Sequence, residues 1–177
     1  MEKNLQNHYQ NVTIYDLLTK LNFKNIFEIS KITKICLNIG FKNTNIEKKK
    51  LINIILLLKL ITNQKPIITK SKKNNIFFKI KKNSIIGCKI TLRKQNIFNF
   101  LEKILIFILP NSAKINFNLK NKNILNFQIQ NILNFFELKT EFLKFKDIPP
   151  IDVSIHTNAK NNNELFLLLN SLFLIKK

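Results

Sequence analysis

The residue types that usually carry catalysis are few in this sequence, and they are not spaced for a reaction. His8 and His156 are its two histidines, and its ten acidic residues are scattered, so no titratable pair shows a spacing typical of acid–base catalysis. The two glycines, Gly40 and Gly87, are too few for a glycine-rich phosphate loop. The sequence therefore predicts a chain that is not an enzyme and that has no metal site and no cofactor.

A basic segment, Lys70–Lys82, is the strongest chemical feature. It carries six lysines around three apolar residues, Ile76, Phe77 and Phe78. Ammonium groups bind phosphates, and apolar side chains at the tip of a loop can wedge against a sugar or a base. An ordinary solvated loop would show the same lysines, so the charge alone leaves both interpretations open.

Polar residues on predicted strand faces form a second candidate for binding. Asn38, Gln64, Lys89, Thr91 and Arg93 could together make a hydrogen-bonding platform, as sheet faces do in RNA-binding domains. The same five residues could equally be the solvent-facing side of a sheet without any partner.

The net charge indicates the class of partner. Thirty Lys and Arg residues against ten Asp and Glu residues give a formal charge of +20, which favours polyanions such as nucleic acid or an anionic membrane surface. Arg93 is the only arginine, and lysine is suited to phosphates rather than to reading bases. Apolar runs such as Leu51–Ile61 and Leu165–Ile175 are shorter than the roughly 18 residues that a spanning helix requires.

Composition bears on the origin of the gene. Asn, Ile, Lys and Phe, which have codons rich in A and T, are abundant, so we expect an organelle or another AT-rich genome. The N-terminus shows no apolar signal core and no arginine-rich presequence, so we expect the protein to act in the compartment where it is made.

Hydrophobic periodicity predicts an α+β domain, an antiparallel-rich sheet backed by helices in two layers, with a long basic hairpin-like loop. The predicted helices are Leu5–Leu21, Glu47–Thr62, Ile97–Leu109 and Glu164–Ile175, and Asn162 or Asn163 caps the last one. The predicted strands are Lys31–Gly40, Ile67–Lys70, Cys88–Arg93, Ile124–Ile132 and Ile151–Thr157. In four of these strands the alternating apolar residues are predicted to share one face: Ile35, Leu37, Ile39, Cys88, Ile90, Leu92, Leu125, Phe127, Ile129, Ile151, Val153 and Ile155. The predicted buried stripe of the helix Ile97–Leu109 is Ile97, Leu101, Ile104, Leu105 and Ile108.

The remaining features suggest a single domain over residues 1–177, with an N-terminal helix at 5–21 and a core over 31–175. The Asn- and Lys-rich stretch Asn111–Lys122 is predicted to be a loop. Cys36 and Cys88 lie far apart in apolar surroundings, so both are expected to be buried core thiols.

Three segments, taken together, resemble the central motif of the ribosomal protein L5 family, the universal large-subunit proteins that bind 5S ribosomal RNA. They are Gln64–Lys73, Phe78–Ile80 and Ile86–Arg93, and both their order and their spacing match. Lys31–Gly40 is similar to the first strand of the family and Ile151–Lys160 to its last strand. The likeness is weakest from about Asn111 to Phe145, where the family usually has glycines and an arginine-containing turn.

The resemblance implies a position in the central protuberance of the large subunit. The partners would be 5S RNA or its equivalent, large-subunit RNA, P-site transfer RNA, a small-subunit head protein across an intersubunit bridge, and neighbouring central-protuberance proteins. The RNA-binding residues would be Asn38, Gln64, Lys65, Thr69, Lys89, Thr91 and Arg93. A loop facing transfer RNA would contain Lys70, Ser71, Lys72, Lys73, Phe77, Phe78, Lys79, Lys81 and Lys82.

The expected location is the mitochondrial matrix, with another AT-rich organelle or a bacterium as the alternative. Two other functions compete with this hypothesis. A peripheral membrane protein is disfavoured because the lysines concentrate on a loop and on strand faces rather than along one amphipathic helix. An RNA-processing enzyme is disfavoured because the sequence has no carboxylate cluster for metal ions.

Overall fold

The periodicity of the apolar residues produces helices and strands in alternation. The computed structural model describes residues 4–21, 23, 25–41, 48–110, 118–121, 123–145 and 148–173. The α-helices are α1 (Asn4–His8), α2 (Ile14–Lys20), α3 (Lys48–Thr62), α4 (Gln95–Lys103), α5 (Phe142–Phe145) and α6 (Asn162–Ser171). The strands are β1 (Ile32–Gly40), β2 (Ile67–Lys70), β3 (Ile85–Leu92), β4 (Asn118–Asn121), β5 (Ile124–Ile129) and β6 (Ile151–Thr157).

Short helical segments of other types extend these elements. The π-helical segment Tyr9–Thr13 joins α1 to α2 with right-handed helical backbone angles at both junctions, so helical structure runs from Asn4 to Lys20, and Leu21 after it is extended. A second π-helical segment, Ile104–Ile108, prolongs α4. The 3₁₀ segments are Ile26–Glu28, Ile132–Asn134 and Phe136–Glu141. Within the part of the chain that the structure describes, no helix is both long enough and apolar enough to span a bilayer.

The described strands form one six-stranded sheet in the order β2-β3-β1-β6-β5-β4. The pairs β2–β3 and β4–β5 are antiparallel. Asn158 N–H donates to the Lys31 carbonyl (3.2 Å) and the Thr33 hydroxyl donates to the His156 carbonyl (3.0 Å), which places β1 antiparallel to β6 as well. The predicted α+β class, an antiparallel sheet backed by helices, is confirmed.

Period-two alternation predicted the buried face of each long strand. In β1, Ile35, Leu37 and Ile39 are buried, whereas Asn38 between them is exposed. Because successive side chains of a strand point to opposite faces, one apolar residue in two is enough to build the core. The other inward-facing residues that were predicted are also buried: Cys88, Ile90, Leu92, Leu125, Phe127, Ile129, Ile151, Val153 and Ile155.

The chain divides into two compact units, each assembled from more than one stretch. The first unit contains Met1–Ile35, Leu92–Phe127 and Ser154–Lys177, and the second contains Cys36–Thr91 and Gln128–Val153. The candidate residues of the predicted platform, apart from Arg93, and the whole basic segment belong to the second unit.

Specific polar bonds attach helices within each unit. In the first unit, Leu5 N–H donates to Glu102 Oε1 at 2.8 Å and so joins the N-terminal helix to α4. In the second unit, Asn53 Nδ2 donates to the Lys144 carbonyl at 3.1 Å and joins α3 to α5. In both cases a side chain of one helix satisfies a backbone group near the end of another helix.

Several boundaries differ from the sequence-based prediction, among them the starts of β3 (Ile85 rather than Cys88) and of α4 (Gln95 rather than Ile97). Asn118–Asn121, predicted as part of a loop, is strand β4, because pairing with β5 overrides the low strand propensity of Asn. The rest of that predicted loop, 111–117 and 122, lies outside the described residues. Strand β5 ends at Ile129 rather than Ile132.

Helix α6 begins at Asn162, two residues earlier than the predicted Glu164. Its N-cap is Asn161, and no side-chain bond caps the helix, so neither Asn162 nor Asn163 has the predicted capping role. The helix ends at Ser171 rather than at the predicted Ile175, since Leu172 is its C-cap and Phe173 has a left-handed backbone (φ 59°). Residues 174–177 lie outside the described part of the chain.

Candidate nucleic-acid interface

The solvent-facing side of β1 and β3 brings together part of the predicted platform in the second unit. Cys36 Sγ lies 3.9 Å from Thr91 Oγ1, and Phe41 N–H donates to the Ile86 carbonyl at 2.8 Å. Both pairs fit one antiparallel register, which sets Asn38 opposite Lys89. Both side chains are exposed, and no described residue forms a side-chain hydrogen bond with Asn38. An amide and an ammonium group therefore stand side by side on this face.

Gln64 joins the platform from the end of α3. Asn63 adopts a left-handed backbone conformation (φ 54°), and its N–H donates to the Lys59 carbonyl at 2.8 Å, which ends the helix. The chain then turns so that Gln64 Nε2 donates to the Thr91 carbonyl at 3.4 Å. The bond holds the Gln64 side chain beside Thr91, with its amide oxygen still able to accept. Lys65, the next residue, is exposed.

Strand β2 contributes the third part of this surface. Ile67 pairs with Lys89, and Thr69 pairs with Gly87, so these side chains share the face of Lys89. A Cβ on Gly87 would overlap the Ile39 carbonyl oxygen and would lie 3.2 Å from Thr69 Oγ1. Glycine is therefore required at residue 87, because the backbone of β1 approaches it closely.

Arg93 belongs to the first compact unit, whereas the other predicted platform residues belong to the second. It is exposed, it follows β3, and it falls in the first unit. Lys94 after it has a left-handed backbone (φ 53°) and serves as the N-cap of α4. The backbone thus changes direction immediately after Arg93.

The basic segment forms a hydrogen-bonded hairpin between β2 and β3. At its base, Ser71 N–H donates to the Ser84 carbonyl (2.9 Å), and Asn83 N–H donates to the Ser71 carbonyl (3.0 Å). Ser71 is buried, and its hydroxyl bonds the Lys81 carbonyl and contacts Ser84 Oγ at 3.2 Å. Ser71 differs here from the outward-facing residue that was expected, because its hydroxyl holds the two strands of the hairpin together.

A small turn closes the tip of this hairpin. Asn75 and Ile80 exchange two backbone hydrogen bonds, of 2.8 and 2.9 Å, around the four residues Ile76–Lys79. Lys79 has a left-handed backbone (φ 53°), and its N–H donates to the Ile76 carbonyl at 3.1 Å. Asn74 Oδ1 accepts from Lys82 N–H at 2.6 Å. The tip therefore has a defined backbone conformation.

Charge on the hairpin and the platform is of one sign. No acidic residue lies between Lys70 and Ser84. The lysines of both regions are all exposed: Lys65, Lys70, Lys72, Lys73, Lys79, Lys81, Lys82 and Lys89. Such a surface attracts a polyanion and releases its counterions on binding.

The histidines and cysteines do not cluster. His156 is half-buried, and burial, assisted by the charge of Lys34, lowers its pKa. Cys88 is buried as predicted, and burial raises the pKa of its thiol, but Cys36 is only half-buried because it lies on the polar face of β1. Within the described ranges, no three His, Cys, Asp or Glu residues are grouped to hold a metal ion.

Two sequence models of one family match the chain in succession. The model described as "Ribosomal protein L5" matches residues 25–81, and the model described as "ribosomal L5P family C-terminus" matches residues 85–174. This chain belongs to the ribosomal protein L5 family. The family consists of structural, non-enzymatic proteins of the large ribosomal subunit, so the predictions of a ribosomal protein and of no enzymatic activity are confirmed.

Individual relatives align with this L5 protein over nearly its full length. The "Large ribosomal subunit protein uL5m" of Reclinomonas americana is 36% identical over 170 residues, which cover 94% of this chain and 93% of that protein. The "Large ribosomal subunit protein uL5" of Ehrlichia chaffeensis is 34% identical over 173 residues, with 93% and 94% covered. That of Clostridium botulinum is 35% identical over 176 residues, with 97% of both chains covered.

Some residues that shape the interface of this L5 protein were not predicted. Ile67 is 64% exposed on the face of Lys89, although alternation in so short a strand gave no indication of its direction. Asn74 and Asn75 organise the hairpin, since Asn75 Oδ1 accepts from Phe78 N–H at 3.4 Å. The adjacent asparagines could have indicated this turn from the sequence, because asparagine side chains commonly bond the backbone of turns.

Proposed function

We propose that this L5 protein binds 5S ribosomal RNA, or the RNA that replaces it, together with large-subunit RNA at the central protuberance. The observation that supports the proposal is the exposed polar face of the second unit. There Asn38, Thr91 and Gln64 are grouped with the ammonium groups of Lys65 and Lys89.

Short side chains on paired strands suit this task. Strand pairing fixes their backbone, so Asn38 and Thr91 can meet riboses and phosphates in one geometry with little loss of side-chain freedom. The flanking lysines supply attraction that depends on salt and not on sequence. Double-helical RNA is recognised mostly through its shape and its 2′-hydroxyl groups, which such a surface can contact.

Replacing the two short polar residues tests the platform. Asn38→Ala combined with Thr91→Ala should weaken 5S RNA binding by about 1–3 kcal/mol, because hydrogen bonds to the RNA are lost. The fold should be unchanged, since Gln64 bonds the backbone carbonyl of residue 91, which alanine keeps. Filter binding at physiological salt measures the affinity, and circular dichroism measures the fold.

A matched control uses the same residue types elsewhere. Asn11→Ala combined with Thr19→Ala changes two exposed residues of the N-terminal helical region and should leave 5S RNA affinity unaltered. Equal affinity of the platform variant and the wild-type protein would contradict the proposed platform.

We also propose that the basic hairpin reaches P-site transfer RNA. Its support is a run of exposed lysines without an acidic neighbour, held on a backbone that is organised by its own hydrogen bonds. Lys72→Gln with Lys73→Gln should leave subunit assembly intact but slow translation, because the contact with transfer RNA loses two cations. Lys49→Gln with Lys50→Gln, another adjacent exposed pair, is the control. Normal translation by ribosomes with the hairpin variant would exclude this role.

We propose further that the chain acts as one domain in mitochondrial ribosomes. The support is the similarity to a mitochondrial relative from Reclinomonas americana together with the AT-rich composition, while bacterial relatives are nearly as similar. Contacts with a small-subunit head protein and with neighbouring central-protuberance proteins belong to the same proposal and rest on family resemblance. Sedimentation of the protein with mitochondrial large subunits, with protection of 5S RNA, is the direct test.

A further inference from the structure

Three apolar side chains project from the tip of the basic hairpin. Ile76 is 90% exposed, Phe77 is 96% exposed and Phe78 is 72% exposed. An exposed cluster of this kind is costly in water, because two phenylalanine rings could bury a large apolar area elsewhere. The chain nevertheless holds all three on a turn closed by the paired residues Asn75 and Ile80.

The surroundings of these side chains define what can cover them. Exposed lysines flank the tip on both arms of the hairpin, and the segment from Lys70 to Ser84 has no carboxylate. The matching ligand must therefore combine negative charge with flat or apolar surface within a few ångströms. Single-stranded or locally unpaired RNA has this combination, because each phosphate is accompanied by a base with an exposed π-face.

We propose that the tip, Ile76–Phe78, stacks on unpaired nucleobases while the lysines of the hairpin hold the adjoining phosphates. This inference rests on the proposed contact of the hairpin with RNA and adds the chemical group that the tip contacts. Phe77 and Phe78 provide rings for stacking, and Ile76 covers one edge of the contact. Stacking on a π-face tolerates any base, which suits a surface that must accept RNAs of different sequence.

The chain offers a direct reporter because it contains no tryptophan. Phe77→Trp places one indole at the tip and keeps an aromatic ring there. The probes are a single-stranded RNA of roughly ten nucleotides and an abasic ribose-phosphate strand of the same length, which has the same charge without bases. The RNA should quench the indole fluorescence, and the abasic strand should not. Equal responses to the two strands, or no response to either, would show that the tip does not stack on bases.

Affinity measurements separate the tip from the lysines. Phe77→Ala with Phe78→Ala should weaken binding of the same RNA strand by about five- to 150-fold at every salt concentration, the range for one stacked base. Lys72→Gln with Lys73→Gln should instead reduce the salt dependence. Phe27→Ala is the matched control, since Phe27 is also 96% exposed but lies in the first unit beside the Glu28–Lys160 ion pair. A loss in the control as large as that in the tip variant would overturn the assignment.

An anionic membrane is the alternative ligand, because it also combines negative charge with apolar material. Vesicles with anionic lipid would shift the emission of the Phe77→Trp indole to shorter wavelength if the tip entered the bilayer. A stronger response to vesicles than to RNA would show that the tip inserts into membranes and would overturn the proposed stacking on bases. The proposed 5S RNA platform is tested separately through Asn38 and Thr91. A negative result for base stacking at the tip would therefore not contradict the proposed platform.

Discussion

One residue of the platform contributes through its side chain and through its backbone at once. Thr91 presents its hydroxyl on the sheet face, while its carbonyl accepts the hydrogen bond from Gln64 Nε2. Ser71, by contrast, directs its hydroxyl inward and supports the hairpin. For a single residue, the direction of its polar side-chain atom decides the effect of a substitution. An outward-facing hydroxyl affects binding, whereas an inward-facing hydroxyl affects folding.

Gly87 is a residue whose substitution should affect folding. In Gly87→Ala, the added Cβ would overlap the Ile39 carbonyl oxygen, so β1 and β3 must separate locally. We expect a loss of about 1–3 kcal/mol in the free energy of unfolding, measured by urea denaturation. Gly40→Ala is the control, because an added Cβ at residue 40 meets nothing within 4 Å. Equal stability of the two variants would show that the strands adjust without cost.

Among the elements, the four long strands were the easiest to predict. Alternation in β1, β3, β5 and β6 placed every inward-facing residue correctly, since period two leaves a single choice of face. Helix α4 was harder. Phe100 is buried at the ordinary helical spacing of three residues from Ile97, although it was left out of the predicted stripe. The predicted Leu105 lies in the π-helical continuation Ile104–Ile108, where the helical period changes, and it is only half-buried.

The basic hairpin shows where local sequence was insufficient. Its charge was evident, and asparagines such as Asn74 and Asn75 are typical of turns, but the inward direction of Ser71 depends on its bond to the Lys81 carbonyl, ten residues away. Strand β4 depends likewise on pairing with β5. Composition alone cannot predict such contacts, because Asn and Lys are common in both loops and paired edges.

Removal of one hairpin bond should loosen that element alone. In Asn74→Ala, the Lys82 N–H loses its acceptor, and the local opening free energy should fall by about 0.5–1.5 kcal/mol. Hydrogen exchange at Lys82 should accelerate, with the global unfolding free energy unchanged, because the hairpin lies outside the core. Lys73→Ala, a change at a neighbouring exposed residue, should leave that exchange rate unaltered. Unchanged exchange at Lys82 in Asn74→Ala would mean that the side-chain bond does not hold the hairpin.

For the whole molecule, charge and fold have separate roles. A net charge of +20 opposes compaction, and the buried apolar faces of sheet and helices offset it. The excess of lysine was sufficient to predict a polyanionic partner, and the order of three short segments was sufficient to predict the family. The sequence suggested that Asn38, Gln64 and Thr91 share one polar face although they are distant in sequence, and the contacts that bring them together are the strand register and the Gln64–Thr91 hydrogen bond.

The salt dependence of RNA binding should distinguish the two kinds of platform residue. For 5S RNA binding between roughly 50 and 200 mM salt, log K should fall linearly with log salt concentration, and each phosphate contact should contribute about 0.7–0.9 to the slope. Lys65→Gln and Lys89→Gln, both at exposed positions, should each lower the slope by about that amount. Asn38→Ala with Thr91→Ala should lower the affinity at every concentration with the slope unchanged, because uncharged side chains release no counterions. A change of slope in the uncharged variant, or no change in either lysine variant, would contradict these roles. The lysines would then not be the phosphate contacts, or the short polar side chains would not bind independently of salt.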